Sequence, residues 1–161
     1  MMDKSLLQQQ VLQRLAADLQ QAEQAAQTAH ETATHKENIA ENKYDTLGLE
    51  AAYLATGQAR RAAAIRQAMA HWRQFRPNPY DASKGIQLGA LVCLVDSDDK
   101  QQQLFLGPDG GSMTLVSGAQ LVQVISSEAP LGRAMLGKCE GDEVSIQVAP
   151  IRQQFEVLRV H

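Results

Sequence analysis

Carboxylates crowd the stretch between residues 31 and 45, which separates two alanine-rich and glutamine-rich segments: Glu31, Glu37, Glu41 and Asp45. The last three follow one another at intervals of four, so on a helix they would share one face. Carboxylate oxygens are ligands that Mg²⁺ commonly takes from proteins. On a helix these acids would form one negatively charged face, and one interpretation is a solvated face paired with Lys36 and Lys43.

Two apolar seams flank these acids and must position them. The first has alternating intervals of three and four: Leu12, Leu15, Leu19, Ala22, Ala26, Ala29 and Ala33. The second has the same spacing and a single polar interruption: Ala51, Ala55, Gln58, Ala62, Ile65, Met69 and Trp72. Such seams are typical of paired helices, and a short connection makes the pair antiparallel. The pattern predicts a helical hairpin (coiled coil) over residues 1–76, with its tip near 31–45.

The pattern changes after the hairpin. Pro77 and Pro79 end the helical signal, and we assign residues 77–85 to a linker. Residues 86–161 contain short β-branched or alternating runs separated by turn signals, with one helical signal in "APLGRAMLG". These features predict an antiparallel β domain with one short helix, and hence an α+β fold.

Composition narrows the classes of function. The net charge of −3 leaves no overall excess for binding polyanions, and no apolar run approaches the roughly 20 residues of a membrane span. The N-terminus lacks a signal-peptide pattern. Cys93 and Cys139 form no CxxC pair and are interpreted as reduced thiols, so we expect a cytoplasmic protein. His30 and His35 are five apart, which is not the spacing of two ligands on one helix face.

The stretch "ISSEAPLGRAMLGKCEGDEVSI", residues 125–146, resembles the C-terminal signature of the bacterial Gre transcript-cleavage factors, GreA and GreB. That signature is a strand, a Ser-Pro step, a short helix and a Gly-Asp pair that opens another strand. A hairpin followed by a β domain also matches the family, which implies an FKBP-like shape for the β domain. Ala129 stands at the usual Ser position and Gly132 at a usual Ala position.

The resemblance implies an accessory factor rather than an enzyme. The β domain would dock on RNA polymerase at the mouth of its secondary channel, through Pro130, Leu131 and Arg133. The hairpin would carry its tip acids to the polymerase active site, where the polymerase cuts backtracked nascent RNA. Glu37 and Glu41 would help to hold a Mg²⁺ shared with the polymerase, and the factor would have no cofactor of its own.

The tip departs from the family pattern of Asp, two residues, then Glu. Thr34 fills the Asp position if Glu37 is the glutamate, and Asn38 fills it if Glu41 is the glutamate. The aspartate is absent in both registers. Glu37, Glu41 and Asp45 are then a substitute ligand set, an electrostatic plug that binds the channel without cleavage, or a solvated face.

A second charged feature follows the tip. Residues 51–80 contain no Asp or Glu but five arginines: Arg60, Arg61, Arg66, Arg73 and Arg76. By resemblance, Arg60, Arg61 and Arg66 are candidates for contact with the nascent RNA. The alternative is that arginines near a helix C-terminus complement its dipole and solvate its outer face.

Other interpretations remain open at this point. Leu131 and Leu136 could anchor the short helix to the sheet, and for Leu136 this is the favoured interpretation. An FKBP-type prolyl isomerase and a coiled-coil adapter that dimerises through its hairpin are alternative functions. Because an intramolecular partner already covers the apolar seam, we expect a monomer.

Overall fold

The computed structural model describes residues 3–39 and 46–161, and the side chains of residues 3–35 and 48–161. It contains two long helices, six strands and a short helix in chain order. The elements are α1 (Lys4–Ile39), α2 (Thr46–Gln74), β1 (Leu91–Asp96), β2 (Gln101–Gly107), β3 (Met113–Ser117), β4 (Gln120–Ser126), α3 (Pro130–Met135), β5 (Glu143–Val148) and β6 (Ile151–Val160). The predicted α+β class, a helical hairpin followed by a sheet domain with one short helix, is confirmed.

The hairpin seam is made of small side chains over residues 22–33 and 51–62, apart from Gln58. Every residue of the two predicted seams is buried or half-buried, and the alanines Ala22, Ala29, Ala33 and Ala62 expose no more than 6% of their surface. Methyl groups at these positions let two helix backbones approach closely. Gln58, the polar interruption, is half-buried, and its amide Oε1 is buried with no hydrogen-bond donor among the described residues.

Helix α1 begins where its sequence provides a cap. The carboxylate of Asp3 accepts hydrogen bonds from the backbone N–H and the hydroxyl of Ser5, at 2.9 and 2.8 Å. An Asp side chain that satisfies a free N–H of the first turn is a favoured N-cap. The hydroxyl of Ser5, followed by its N–H, lowers the pKa of Asp3.

The six strands form one mixed sheet in the order β3-β4-β2-β1-β6-β5. All neighbouring pairs are antiparallel except β2 and β4, which pair in parallel from Gln103↔Val122 to Gly107↔Ser126. The predicted sheet was wholly antiparallel, and this detail differs. The reason is that β3 lies at the edge, so the second strand of the β3–β4 hairpin returns beside β2 in the same direction.

Alternation along β2 gives the sheet two apolar faces. Leu104 and Leu106 belong to a buried cluster on one face, together with Met135 of α3 and Val157 of β6. Phe105, between them, meets an aromatic pair from the end of α2 on the other face. Its ring centre lies 6.2 Å from those of both Trp72 and Phe75, which are 5.5 Å apart.

Two glycines make room for the indole of Trp72. A Cβ on Gly107, or on Gly111 in the following loop, would overlap the ring. Trp72 is fully buried, and its ring N–H has no acceptor among the described residues. The backbone at Gly107 and Gly111 therefore forms one wall of the Trp72 site. A residue with a side chain could not take either position without overlapping the indole.

Packing divides the chain differently from secondary structure. One compact unit is Met1–Leu12 with Ala70–His161, and the other is Gln13–Met69. The sequence-based division into 1–76, 77–85 and 86–161 follows the end of the helical pattern instead. Trp72 in the last turn of α2 and Phe75 just after it explain the difference, because both pack with Phe105 of the sheet.

Candidate functional site

The candidate tip acids fall largely outside the described residues. Glu41 and Asp45 lie outside them altogether, and Glu37 lies in α1 with its side chain outside them. The metal-assisting role of Glu37 and Glu41 therefore stays a prediction. Glu31 is described: its exposed carboxylate accepts a hydrogen bond of 2.9 Å from the amide of Gln27, one turn earlier.

Thr34, one of the two residues in the expected aspartate position, is engaged with its own helix. Its hydroxyl donates a hydrogen bond to the backbone carbonyl of His30. This is the usual arrangement of a helical threonine, which bonds back to the residue four positions earlier. Thr34 therefore offers no charge and no free hydroxyl proton at this position.

The candidate RNA-contact arginines are not equivalent. Arg66 forms an ion pair with Glu23 of α1, with 2.9 Å between Nη2 and Oε1. The sequence places no acid within residues 51–80, but Arg66 does have a counter-charge, because the partner helix α1 supplies Glu23. Arg60 and Arg61 are exposed and form no ion pair with any described residue. They remain the candidates with available charge.

The last arginine of the run has a local role. Arg76 Nη1 donates to the backbone carbonyls of Arg73 and Phe75, at 2.7 and 2.9 Å. Carbonyls at the end of a helix have no partner within it, and a cationic side chain there satisfies them and complements the dipole. For Arg76 the alternative interpretation from sequence, helix-end stabilisation, therefore holds.

Helix α3 carries the candidate docking residues. Pro130 opens the helix, as predicted, and is exposed. Arg133 is also exposed, and its guanidinium lies 3.3 Å from the carboxylate of Glu128. Leu131 is half-buried and packs against the apolar cluster of the sheet domain. Leu131 is thus an anchor of α3, while docking through these three residues stays a prediction.

The predicted anchor Leu136 is wrong. Its side chain is 43% exposed, whereas the neighbouring Met135 is fully buried in the apolar cluster. Met135 follows Leu131 by four positions, so the two share one face of the short helix, while Leu136 is turned away from that face. The sequence contains apolar residues at both positions and does not identify which of them faces the sheet.

The loop before α3 holds the helix close to the sheet. Ser126 is buried, and its hydroxyl donates to the carboxylate of Asp109 and accepts from the N–H of Glu128 at 3.0 Å. A Cβ on Gly132 would overlap the carbonyl oxygen of Ser126. This close approach explains why Gly, rather than the usual Ala of the signature, stands at position 132.

Sequence analysis missed a set of long-range hydrogen bonds made by Lys4, near the start of α1. The Lys4 ammonium donates to the backbone carbonyls of Asn78, Gly89 and His161, at 2.7, 2.9 and 2.9 Å. Burial lowers the pKa of Lys4 below its ordinary value. These acceptors lie 74 to 157 positions away along the chain, so no local sequence signal could have identified them.

Three further observations concern metal ligands, membrane spans and cysteines. Among the described residues, no group of three or more His, Cys, Asp or Glu side chains is arranged to hold a metal ion. None of the helices in this part of the chain is long and apolar enough to cross a membrane. Both cysteines are free, with Cys93 buried and Cys139 half-buried.

Solved structures similar to this chain include Gfh1 and a GreA/GreB factor. Gfh1 of Thermus aquaticus is 22% identical, with 92% of each chain covered and a TM-score of 0.41. A transcription elongation factor GreA/GreB from Nitrosomonas europaea is 17% identical, with 60% of this chain and 78% of that chain covered and a TM-score of 0.39. Scores of this size support no inference about function.

Sequence comparison is more informative. The family profile described as "Transcription elongation factor, GreA/GreB, C-term" matches residues 81–161. Transcription elongation factor GreA of Desulfovibrio desulfuricans is 32% identical over 152 residues, 92% of this chain and 84% of that protein. GreA of Jannaschia is 26% identical over 83 residues, about half of each protein. The profile covers half of the chain and the Desulfovibrio relative nearly all of it, so this protein belongs to the GreA/GreB family of transcription elongation factors.

Proposed function

We propose that this protein binds the secondary channel of RNA polymerase and stimulates cleavage of backtracked nascent RNA. Family membership supports a role in transcription elongation. The observation that carries the proposal further is the alanine part of the hairpin seam. From Ala22 to Ala33 of α1 and from Ala51 to Ala62 of α2, the buried and half-buried seam side chains are alanine methyl groups, with Gln58 the one exception. A helix pair of this kind has a small cross-section, which suits entry into a narrow channel.

Docking falls to the exposed side of α3. Pro130 and Arg133 are accessible, while Leu131 and Met135 fix the helix to the sheet from its other side. Arg133 has an exposed acidic neighbour in Glu128, and exposed pairs of this kind are weak. The guanidinium can therefore exchange Glu128 for a carboxylate on the polymerase at small cost.

The tip acids complete the proposal. Glu37 and Glu41 offer carboxylate oxygens, the donor type that Mg²⁺ prefers, and one or two such groups are what it commonly takes from a protein. A second Mg²⁺ at a polymerase active site supplies stabilisation of the charge that develops during in-line displacement. In this role Glu37 and Glu41 would hold and orient the second Mg²⁺, and the polymerase would provide its remaining ligands.

One observation favours a second candidate function, channel binding without cleavage. Thr34, at the expected aspartate position, carries no charge and directs its hydroxyl to the backbone of His30. A tip without that aspartate would still bring the negative charges of Glu37 and Glu41 to the channel. The two candidates differ in whether RNA is cut, and share the docking step.

An assay with backtracked elongation complexes that carry end-labelled RNA distinguishes the two candidate functions. We expect the wild-type protein to bind the complexes and to shorten the RNA. Replacing Glu37 and Glu41 by Gln should slow cleavage by about tenfold or more, since loss of even an outer-shell partner of a metal ligand commonly costs about 10- to 100-fold. Binding should persist. Glu31→Gln is the matched control, because Glu31 is an exposed acid of the same helix that bonds to Gln27.

The outcomes are distinct. Binding without shortening by the wild-type protein would select the second candidate. Cleavage that is unchanged in every single and combined tip variant would refute the role of the acids. Arg133→Ala should weaken binding to all complexes alike, and unaltered binding would remove Arg133 from the docking surface.

A further inference from the structure

The β5–β6 hairpin extends past the rest of the sheet. β5 and β6 pair with each other as far as Val148↔Ile151, beside the turn that joins them. β1, the strand on the other side of β6, pairs only with residues 155–160. Residues 151–154 of β6 therefore have β5 as their only neighbouring strand among the described residues. A two-stranded ribbon is marginally stable in water, and a third strand strengthens it.

The outer edge of β5 is open. β5 is the last strand in the sheet order, so its outward N–H and C=O groups have no partner strand in the described chain. Natural proteins commonly protect such an edge with a charged residue, a proline or a β-bulge. Residues 144–148, "VSIQV", contain no charge and no proline, and their register with β6 is regular. The edge has none of these three protections.

The same hairpin exposes apolar side chains. Val144, Ile146 and Val148 alternate along β5 and share one face. Val144 is fully buried in the apolar cluster of the sheet domain, Ile146 is half-buried and Val148 is 56% exposed. Ile151, opposite Val148, is 63% exposed. The buried cluster therefore continues as an exposed apolar strip, made of Ile146, Val148 and Ile151.

The pattern of the β5 edge is symmetric about Ile146. In either direction, residues 144–148 read as valine, polar, isoleucine, polar, valine. The two copies of an isologous dimer present the same surface to each other, so an edge of this kind suits a second copy of the chain. Antiparallel pairing about a two-fold axis at Ile146 would place Val148 of each copy opposite Val144 of the other. The apolar strip of one copy would then adjoin the buried cluster of the other.

The charges near the edge are compatible with this pairing. On the other face, Ser145 of each copy would lie opposite Gln147 of the other, and both side chains are uncharged. Glu143, the only charged residue of β5, would lie opposite Ala149 in the turn of the other copy. Like charges directly opposite each other destabilise a sheet, and this register brings none together between the copies.

We propose that two copies of this chain associate through β5, antiparallel about a two-fold axis at Ile146, so that one sheet continues across both. The monomer expected from the sequence depends on the covered seam of the hairpin, and β5 is a separate surface. The pairing needs no polymerase, so it is independent of the proposed function. Stable interfaces bury about 1,200–2,000 Å² in total. Two short strand edges bury less, so the dimer should be weak.

Sedimentation equilibrium of the full chain, from micromolar to millimolar concentration, measures this association. The average mass of the wild-type protein should rise toward that of two chains. Val148→Lys should weaken association by about tenfold or more, because a charge on an edge strand opposes pairing. Val116→Lys is the matched control, because Val116 is a 61% exposed valine of β3, the opposite edge strand. Both positions are exposed, so far-UV circular dichroism should show folded variants.

Disulfide cross-linking tests the register. Ile146→Cys should join two copies under mild oxidation with diamide, because directly opposite residues of antiparallel strands lie within the Cα separation that a disulfide spans. Ser145→Cys should cross-link much less, since position 145 would face position 147 of the other copy. The parent protein measures the background, because it keeps the free thiols of Cys93 and Cys139.

A wild-type chain that stays monomeric at millimolar concentration would overturn the proposal. Unchanged association of Val148→Lys, equal weakening by Val116→Lys, or preferential cross-linking of Ser145→Cys would overturn it as well. If circular dichroism shows that Val148→Lys is unfolded, Ile151→Lys takes its place in the same comparison, because Ile151 is the exposed residue opposite Val148.

Discussion

The same two helices take part in two contrasting kinds of packing. From Ala22 to Ala33 of α1 and from Ala51 to Ala62 of α2 they meet through an alanine seam, where each buried seam side chain is a methyl group. In the unit that contains the sheet, Trp72 in the last turn of α2 and Phe75 just after it form an aromatic cluster with Phe105. Separate stretches of α2 therefore have separate roles. One packs closely against α1, and the other attaches the helix to the sheet domain. The seam keeps the hairpin thin, and the aromatic cluster fixes the end of α2 to the sheet domain.

The largest expected effect is at the aromatic cluster. Trp72→Ala should lower the free energy of unfolding by about 3–5 kcal/mol, because the lost indole leaves a cavity beside Phe105 and the backbone of Gly107 and Gly111. Urea denaturation followed by far-UV circular dichroism measures it. Trp72→Phe should cost less, since part of the ring contact remains. A loss below about 1 kcal/mol for Trp72→Ala would show that the cluster is not the anchor.

Replacing glycine by alanine should change the free energy of unfolding in opposite directions at the Trp72 site and on the open face of α2. Gly111→Ala should destabilise by about 1–3 kcal/mol, because the new Cβ would overlap the buried Trp72. Gly57→Ala should stabilise by about 0.5–1 kcal/mol, because its Cβ has open space and alanine favours the helix. Denaturation of both variants gives the comparison directly, and equal signs would contradict the contrast between a closed site and an open helix face.

The smallest effect concerns the ion pair across the hairpin. Arg66 and Glu23 side chains are 55% and 48% exposed, so Glu23→Gln should cost about 0.2–1 kcal/mol. The difference from wild type should shrink as salt is added, since screening weakens exposed charges. Gln27→Ala, which leaves this pair intact, is the control. A cost that persists in high salt would mean that Glu23 acts through packing rather than charge.

Much of the fold could be predicted because its signals are local. Intervals of three and four placed every seam residue correctly on the buried side, and Pro77 and the turn signals located the change to strands. Pro130 marked the start of α3. The parallel pairing of β2 with β4 could not be predicted, because either strand of the β3–β4 hairpin has a pattern that fits beside β2.

The sequence predicted which kinds of residue form the candidate site, but not how those residues pair or which of them are exposed. The acids, the arginines and α3 are visible in the sequence because charge and helix-start signals are local. The pairing of Arg66 with Glu23, the outward turn of Leu136 and the three carbonyls around Lys4 depend on neighbours far along the chain. The exposure of Tyr53 could not be predicted either, because an aromatic residue in a helical pattern is equally compatible with a buried position.

The sequence by itself determined the family, the helical hairpin and the acid-free stretch of α2, since periodicity, motif order and charge are properties of the chain as written. Only the tertiary structure decided which arginines keep their charge available, which leucine anchors α3 and why glycines line Trp72. The physical reason is that burial and pairing are relations between residues distant in sequence. They come into being when folding brings those residues within a few ångströms.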